Sequence, residues 1–334
     1  MSALKFVVPE MLDMQHVVEE IFGFTPCKWQ LQSAQEQLKR NDVFTISSTG
    51  SGKTLCFWIP LLFNDNGVMI LITPLNILGD KNVDETRVAN IPAITLNATT
   101  ATDEAYKDIA NFKYRAIIIS PERARTDQRF IRLLDDKKFE KQLFNVTLDE
   151  SHCVSEWGDF RPEYTELGSL RWLLPRETPF HCASATMPPH VIDDVIEKLH
   201  IRPNLVKVHR SNDRPNIHFR VEKMMYPLNS MFDLLRVLCF NGEDPFFVFA
   251  NSRKETEQIA EFLRSQVAQE NQDKIVWFHS GMSPQFRRDI VERLQSGDIW
   301  GICCTDAAGM AQPVYEETAG AKPRDAKGEA LLPA

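Results

Sequence analysis

A strand-like run, Val43-Phe44-Thr45-Ile46-Ser47, leads through Ser48 into Thr49-Gly50-Ser51-Gly52-Lys53-Thr54, and an apolar stretch follows at once. Strand, glycine-rich turn and helix in that order are what a phosphate cradle requires. Glycine lets the backbone turn tightly and aim successive N–H groups at phosphate oxygens, and the helix presents its positive end to the anion. Lys53 is placed to meet the β- and γ-phosphates, and the Thr54 hydroxyl to ligate Mg²⁺. Thr49, Gly50, Ser51, Gly52, Lys53 and Thr54 are therefore the expected nucleotide-binding residues, although Ser47 stands where the usual pattern opens on glycine.

A bound nucleotide also needs acidic groups at the end of another strand. Asn145-Val-Thr-Leu-Asp149-Glu150-Ser151-His152 supplies them. Asp149 is expected to hold Mg²⁺ through water, and Glu150 to orient and deprotonate the attacking water, so that Glu150 and Lys53 form the catalytic pair. The chain then runs His152-Cys-Val-Ser-Glu-Trp157-Gly-Asp-Phe160-Arg161-Pro-Glu-Tyr164. Trp157 and Phe160 offer flat surfaces for the bases of a single strand, worth about 1–3 kcal/mol per base. Arg161 adds a planar cation suited to phosphate or carboxylate. The competing reading of these aromatics is a buried cluster. Because the loop leaves directly from Glu150 and His152, strand contact and ATP chemistry would be covalently adjacent.

The Asp-Glu-Ser-His turn and this aromatic loop resemble superfamily 2 helicases, and within them the RecQ family of DNA helicases, over residues 22–310. The resemblance implies an α/β fold of two tandem RecA-like (P-loop NTPase) parallel-sheet domains. It also implies ATP and Mg²⁺ as cofactors, single-stranded or partly duplex DNA as partner, and ATP-driven 3′→5′ translocation. By the same resemblance Lys28 and Gln30, within Gly23-Phe-Thr-Pro-Cys-Lys-Trp-Gln, would read adenine. Thr73-Pro74 and Ser120-Pro-Glu-Arg123 would hold the nucleic-acid backbone. His152 with Ser184-Ala-Thr186 would couple hydrolysis to domain movement, and Ser252, Arg253, His279 and Thr305 would contact DNA from the second domain. Several are bland alone: a proline after a strand is usually only a turn, and a strand-end histidine is more often satisfied locally.

The resemblance breaks off within motif V. After Met310 the family would continue to the arginines of motif VI, and commonly to a zinc-bearing domain. Residues 311–334 are instead rich in Ala, Gly and Pro and are expected to form a disordered tail. The chain as given is accordingly expected to be a weak or inactive motor unless a protein partner supplies the missing arginine. Rival readings are a DEAD-box RNA helicase, an ATP- and nucleic-acid-binding fragment without motor activity, and a P-loop kinase. The Trp-Gly-Asp-Phe-Arg-Pro loop disfavours the first, and a second sheet disfavours the last.

For these groups to converge, strand ends must line up. Short apolar runs predict strands over 43–47, 68–73, 93–97, 116–120, 145–149 and 180–184, with amphipathic helices over 29–39 and 129–139 between them. Met-Ile-Leu-Ile at 69–72 and Ala-Ile-Ile-Ile at 116–119 are unbroken, as in strands covered on both faces. Alternation of this kind predicts a parallel sheet between helical layers. A polar break near 202–216 reads as a linker. Beyond it, strands are expected over 217–222, 246–250, 275–279 and 299–305, and helices over 230–240, 254–269 and 284–295. The domains are therefore placed at 1–212 and 213–310, the second incomplete, with the tail at 311–334.

Composition sets the outer bounds. With 334 residues, 43% apolar and 25% charged, the chain suits about two globular domains. A net charge of −8 argues against bulk attraction to nucleic acid, though not against a local basic groove. Cys27, Cys56, Cys153, Cys182, Cys239, Cys303 and Cys304 form no Cys-x-x-Cys pair, so reduced thiols are expected and zinc is not. No apolar run is long enough for a membrane span, and the first residues do not read as a secretory signal. A soluble intracellular protein is expected, nuclear if the source is eukaryotic, as the resemblance implies.

Overall fold

The computed structural model describes residues 8–64, 66–74, 76–158, 161–213, 217–240 and 245–305, and the chain divides into two units, Met1–Arg214 and Pro215–Ala334. The first is built on seven strands: β1 Val43–Ile46, β2 Val68–Ile72, β3 Ala93–Leu96, β4 Ala116–Ile119, β5 Leu143–Leu148, β6 Phe180–Ser184 and β7 Val206–His209. Their order is β3-β4-β2-β5-β6-β1-β7, and every pairing is parallel.

The inner strands β1, β2, β4, β5 and β6 are buried along their whole length, which explains the unbroken apolar sequences of β2 and β4. Successive side chains point to opposite faces. Ile70, Ile72, Ile117, Ile119, Val146 and Leu148 join one core cluster with Phe130, Phe139 and Val191. Met69, Leu71, Ala116, Ile118 and Phe144 join the other with Met14, Leu31, Phe57 and Trp58. Helices Met11–Phe22, Lys28–Leu38 and Leu55–Leu62 cover the second face. The unit is thus a sheet between two helical layers, and among the described residues no helix is long and apolar enough to cross a membrane.

The second unit carries a parallel sheet, β8 Phe246–Phe249, β9 Ile275–Phe278 and β10 Gly301–Cys304, in the order β8-β10-β9. Helix Arg253–Ser265 packs against β9 and β10. At the start of β10 a Cβ on Gly301 would fall 2.0 Å from the Phe246 ring, so only glycine lets these strands meet there.

Four expectations need correction. The supposed linker contains β7, an edge strand whose Val-Lys-Val-His sequence buries only Val208. The alternating Ile217-His-Phe-Arg-Val-Glu222 stretch is not a strand: it finds no ladder among the described residues, and Phe219 and Val221 are 81% and 100% exposed. The helix expected over 230–240 shrinks to a 3₁₀ turn at Leu228–Ser230 and one turn at Leu234–Val237. The helix expected over 129–139 is two, Gln128–Leu134 and Lys137–Gln142, because Asp136 accepts from the N–H groups of Lys138 and Phe139 and starts a new helix. The tail at 311–334 lies outside the described residues.

Candidate functional site

Because every strand of the first unit is parallel, all carboxyl ends open on one edge of the sheet, where α/β folds place their ligands. Across that edge the order is Ser120–Arg123 after β4, Thr73–Pro74 after β2, Asp149–His152 after β5, Ser184–Thr186 after β6 and the 47–54 loop after β1. The acidic turn therefore sits between the glycine loop on one side and the β2 and β4 loops on the other.

The loop turns on Gly50 and Gly52, with φ of +73° and +78°. Lys53 Nζ donates to the carbonyls of Ser47 and Ser48 at 2.9 and 3.2 Å. Thr54 is the N-cap of helix Leu55–Leu62, but its side chain makes no capping bond. The Ser51 hydroxyl is buried without a hydrogen-bond partner among the described residues. Gln30 is 4% exposed; its amide nitrogen donates to Gly52 O at 2.9 Å and its oxygen accepts from Cys27 N at 2.7 Å. Both ends of this amide are thus engaged with protein, and a Cβ on Gly52 would come within 2.9 Å of its nitrogen. Lys28 is exposed at the start of the same helix.

Asp149 and Glu150 lie half-buried beside each other. Desolvation, and then the neighbouring Glu150, raise the Asp149 carboxyl well above the ordinary aspartate range, while Lys53 opposes the rise. Glu150 adopts φ +47°, a left-handed conformation rare outside glycine, and its N–H donates to Asp149 Oδ1 at 3.0 Å. Two crowded carboxylates facing an ammonium suit a divalent cation carrying phosphates. The glycine turn and the orphaned Ser51 hydroxyl fit the anionic end of the same ligand. The residues present therefore fit ATP–Mg²⁺.

The turn is fixed to β6: Ser151 N and Oγ both donate to Ala183 O, at 2.9 and 3.1 Å. His152 Nδ1 lies 2.8 Å from Ser184 Oγ and 3.3 Å from Glu150 Oε2. Ser184 Oγ donates to Thr186 O at 2.9 Å and accepts from Thr186 N at 3.2 Å, so the proton shared with His152 belongs to the imidazole. Desolvation pulls the His152 pKa down, but Glu150 and the carboxylates around it outweigh that and hold it above the ordinary value. His152, Ser184 and Thr186 thus form one hydrogen-bonded chain beginning at Glu150.

On the other side, Thr73 and Pro74 are buried, and the Thr73 hydroxyl has no hydrogen-bond partner among the described residues. Trp157 is half-buried against the core, edge-on to Tyr164 at 5.7 Å. It is therefore neither the free platform nor the fully buried side chain that the sequence allows. Phe160 lies outside the described residues. Arg161 faces protein: it binds Glu122 and the Pro74 carbonyl. Glu122 is the residue the sequence reading did not single out. Its signal was an opposite charge in the Ser-Pro-Glu-Arg stretch, with nothing local to pair it with Arg161.

In the second unit, Ser252, Arg253, His279 and Thr305 all follow the carboxyl ends of the parallel β8, β9 and β10. Ser252 caps helix Arg253–Ser265 by accepting from Glu255 N at 3.2 Å. His279 is buried; Nδ1 accepts from Gly281 N at 3.2 Å, and Nε2 donates to Glu257 at 3.0 Å. Arg253 meets this loop, because a Cβ on Gly281 would lie 3.3 Å from its Nη1 and 3.2 Å from the His279 ring.

Comparison with known proteins agrees with this architecture. The DEAD/DEAH box helicase family model matches residues 27–195, and the helicase conserved C-terminal domain model matches residues 229–311. The ATP-dependent DNA helicase RecQ of Haemophilus influenzae is 29% identical over 95% of this chain and 52% of its own length. The ATP-dependent DNA helicase hus2/rqh1 of Schizosaccharomyces pombe is 31% identical over 85% of this chain and 21% of its own. The chain thus spans about half the length of the bacterial relative and a fifth of the yeast one. The crystal structure of the DUF1998 helicase MrfA bound to DNA and AMPPNP superposes with a TM-score of 0.67 at 18% identity, covering 94% of this chain and 46% of that one. The family match covers half of the chain and contains both the glycine loop and the acidic turn: this chain belongs to the DEAD/DEAH box helicases and, within superfamily 2, is RecQ-like.

Proposed function

We propose that this chain binds ATP–Mg²⁺ at the carboxyl edge of the first sheet and uses its hydrolysis to move along single-stranded DNA in the 3′→5′ direction. The observation that carries the reading is the position of the acidic turn, bonded through His152 to Ser184 and flanked by the β2 and β4 loops. In this reading the 47–54 loop and Lys53 hold the phosphates, Thr54 and Asp149 hold the metal, and Lys28 and Gln30 lie toward the base. ATP–Mg²⁺, when bound, supplies the scissile phosphoryl group and the cation that neutralises its charge. Glu150 takes the proton of the attacking water. Once it carries that proton Glu150 is neutral and no longer holds the His152 imidazole positive, so the hold of the His152–Ser184–Thr186 chain weakens, which gives hydrolysis a route into β6. Trp157, Phe160, Thr73 and Pro74 meet the nucleic acid, with Arg253 and Thr305 contributing from the second unit. His279 and Ser252 shape their own loop. The names of the RecQ relatives support DNA as the substrate, and the eukaryotic relatives suit a nuclear location.

ATP turnover by the chain should rise with single-stranded DNA and rise less with RNA. Lys53→Ala should remove most ATP binding. Glu150→Gln should keep binding and lower turnover on the order of 10²–10⁴-fold. Undiminished ATP affinity in the Lys53 variant would refute the assignment, and stronger stimulation by RNA would overturn the choice of DNA.

A further inference from the structure

Arg161 has the chemistry of a phosphate ligand, yet its donors are already directed inward. Nε donates to Glu122 Oε1 at 2.8 Å, Nη2 reaches the same oxygen, and Nη1 and Nη2 both lie 3.4 Å from Pro74 O. Its guanidinium carbon sits 5.4 Å from the Trp157 ring and 5.2 Å from the Tyr164 ring, the range of cation–π attraction. The same two segments meet again where Arg125 pairs with Glu166 at 3.3 Å. One planar side chain thereby joins the aromatic loop, the loop after β2 and the helix after β4.

We propose that Arg161 and Glu122 are positioning residues: a fork-shaped latch that seats Trp157 over the β2 and β4 loops, with Arg161 acting through this geometry and not by binding phosphate. The proposal rests on the nucleic-acid reading above for its consequence, but the latch itself is a feature of the free chain. A fork, not merely a charge, is required, because one guanidinium must serve a carboxylate and a carbonyl at once. A phosphate ligand and a latch respond differently to salt. Removing a cation that contacts phosphate lowers the slope of log affinity against log salt by about 0.7 on a single strand, whereas moving a stacked ring leaves the slope alone.

The test compares the full chain with Arg161→Gln, Glu122→Gln and the swap Glu122→Arg/Arg161→Glu. A labelled single-stranded oligonucleotide is titrated across a salt series. The latch predicts that both single variants weaken binding, at most on the order of the 5- to 150-fold that one base stack represents. It predicts an unchanged salt slope for both and recovery of at least half of the lost log affinity in the swap. A slope lowered by about 0.7 in Arg161→Gln, with Glu122→Gln binding as tightly as the parent, would overturn it. So would a swap weaker than either single variant, since Glu at 161 would repel a phosphate held there. A second readout needs no nucleic acid. The amides of Trp157, Arg161 and Tyr164 donate to Cys153 O, Trp157 O and Arg161 O. Their hydrogen exchange should quicken in both single variants and slow again in the swap, while the amides of β5 stay protected. Unchanged exchange would overturn the latch. Quickened exchange in a chain that binds no oligonucleotide would uphold the latch and refute the nucleic-acid reading.

Discussion

Asp42 stands just before β1 with no exposed surface. Its carboxylate accepts from Phe180 N at 2.8 Å, from Arg202 N, Nε and Nη2 at 2.8, 3.1 and 2.7 Å, and from Arg171 Nη2 at 2.8 Å. It thereby ties the amino ends of β1 and β6 to the segment entering β7. Asp42→Ala would leave two cations without their partner, but not equally. The Arg202 side chain is 22% exposed and can turn toward water, whereas Arg171 is 6% exposed and lies 3.6 Å over the Phe180 ring. Burial already holds the Arg171 guanidinium below its ordinary pKa, the sign of a charge kept from solvent. Breaking one such buried pair costs about 3–5 kcal/mol, and Arg202 adds little because it rehydrates. At about 2–4 °C per kcal/mol for a unit of this size, melting should fall by about 6–20 °C. Circular dichroism with heat or urea measures this. Lys39→Ala, which breaks an exposed pair with Glu36, serves as control at about 0–1 kcal/mol. Asp42 lies at the strand edge opposite the 47–54 loop, so ATP affinity below the transition should not change. A loss under about 1 kcal/mol would refute the account of Asp42 as the buried counter-charge, as would a loss of ATP affinity without loss of stability.

Trp157→Ala should cost about 1–3 kcal/mol of stability, less than the ~3–5 of a fully buried aromatic, and on the order of 1–3 kcal/mol of single-strand affinity; a larger melting loss with unchanged affinity would assign the ring to the core alone. Asp127 bears on pH dependence. Burial pushes its carboxyl up, but Arg129 foremost, with Tyr106 and Arg123, holds it far below the ordinary range, and Arg123 and Arg129 pair with it at 2.9 and 3.1 Å. The folded value lies below the unfolded one, so its stabilisation is whole above the ordinary aspartate pKa of ~3.9 and fades as pH falls further. Melting temperatures of the parent and Asp127→Asn should therefore converge as pH falls from about 5 to about 2; a constant gap over that range would refute the linkage.

What the sequence determined by itself was whatever a short stretch of chain specifies alone. Val-Met-Ile-Leu-Ile and Ala-Ile-Ile-Ile announce strands covered on both faces, since no polar residue interrupts them, and they became β2 and β4, each with a neighbour on both sides. Glycines at 50 and 52 announce a turn that other residues resist, and the chain there has positive φ. The edge strand β7 is less legible than β3 at the other edge, which was expected over 93–97. β7 buries one side chain and alternates over only four residues, whereas the stretch over 217–222 alternates for longer and has no ladder among the described residues. Tertiary structure alone decided the rest, because it concerns partners far apart in the chain. Arg161 reads as a free cation until Glu122 and the Pro74 carbonyl are brought against it. Gln30 taken alone reads as a surface glutamine until its buried amide closes on Gly52. His181, fully buried, reads as a polar interruption of β6 until Thr45 and Ser33 come within reach of its ring, where loss of water depresses its pKa to about 3. Backbone preference and hydrophobic pattern are local and survive in a string of letters; a hydrogen bond or an ion pair belongs to two residues at once, and only the folded chain decides which two.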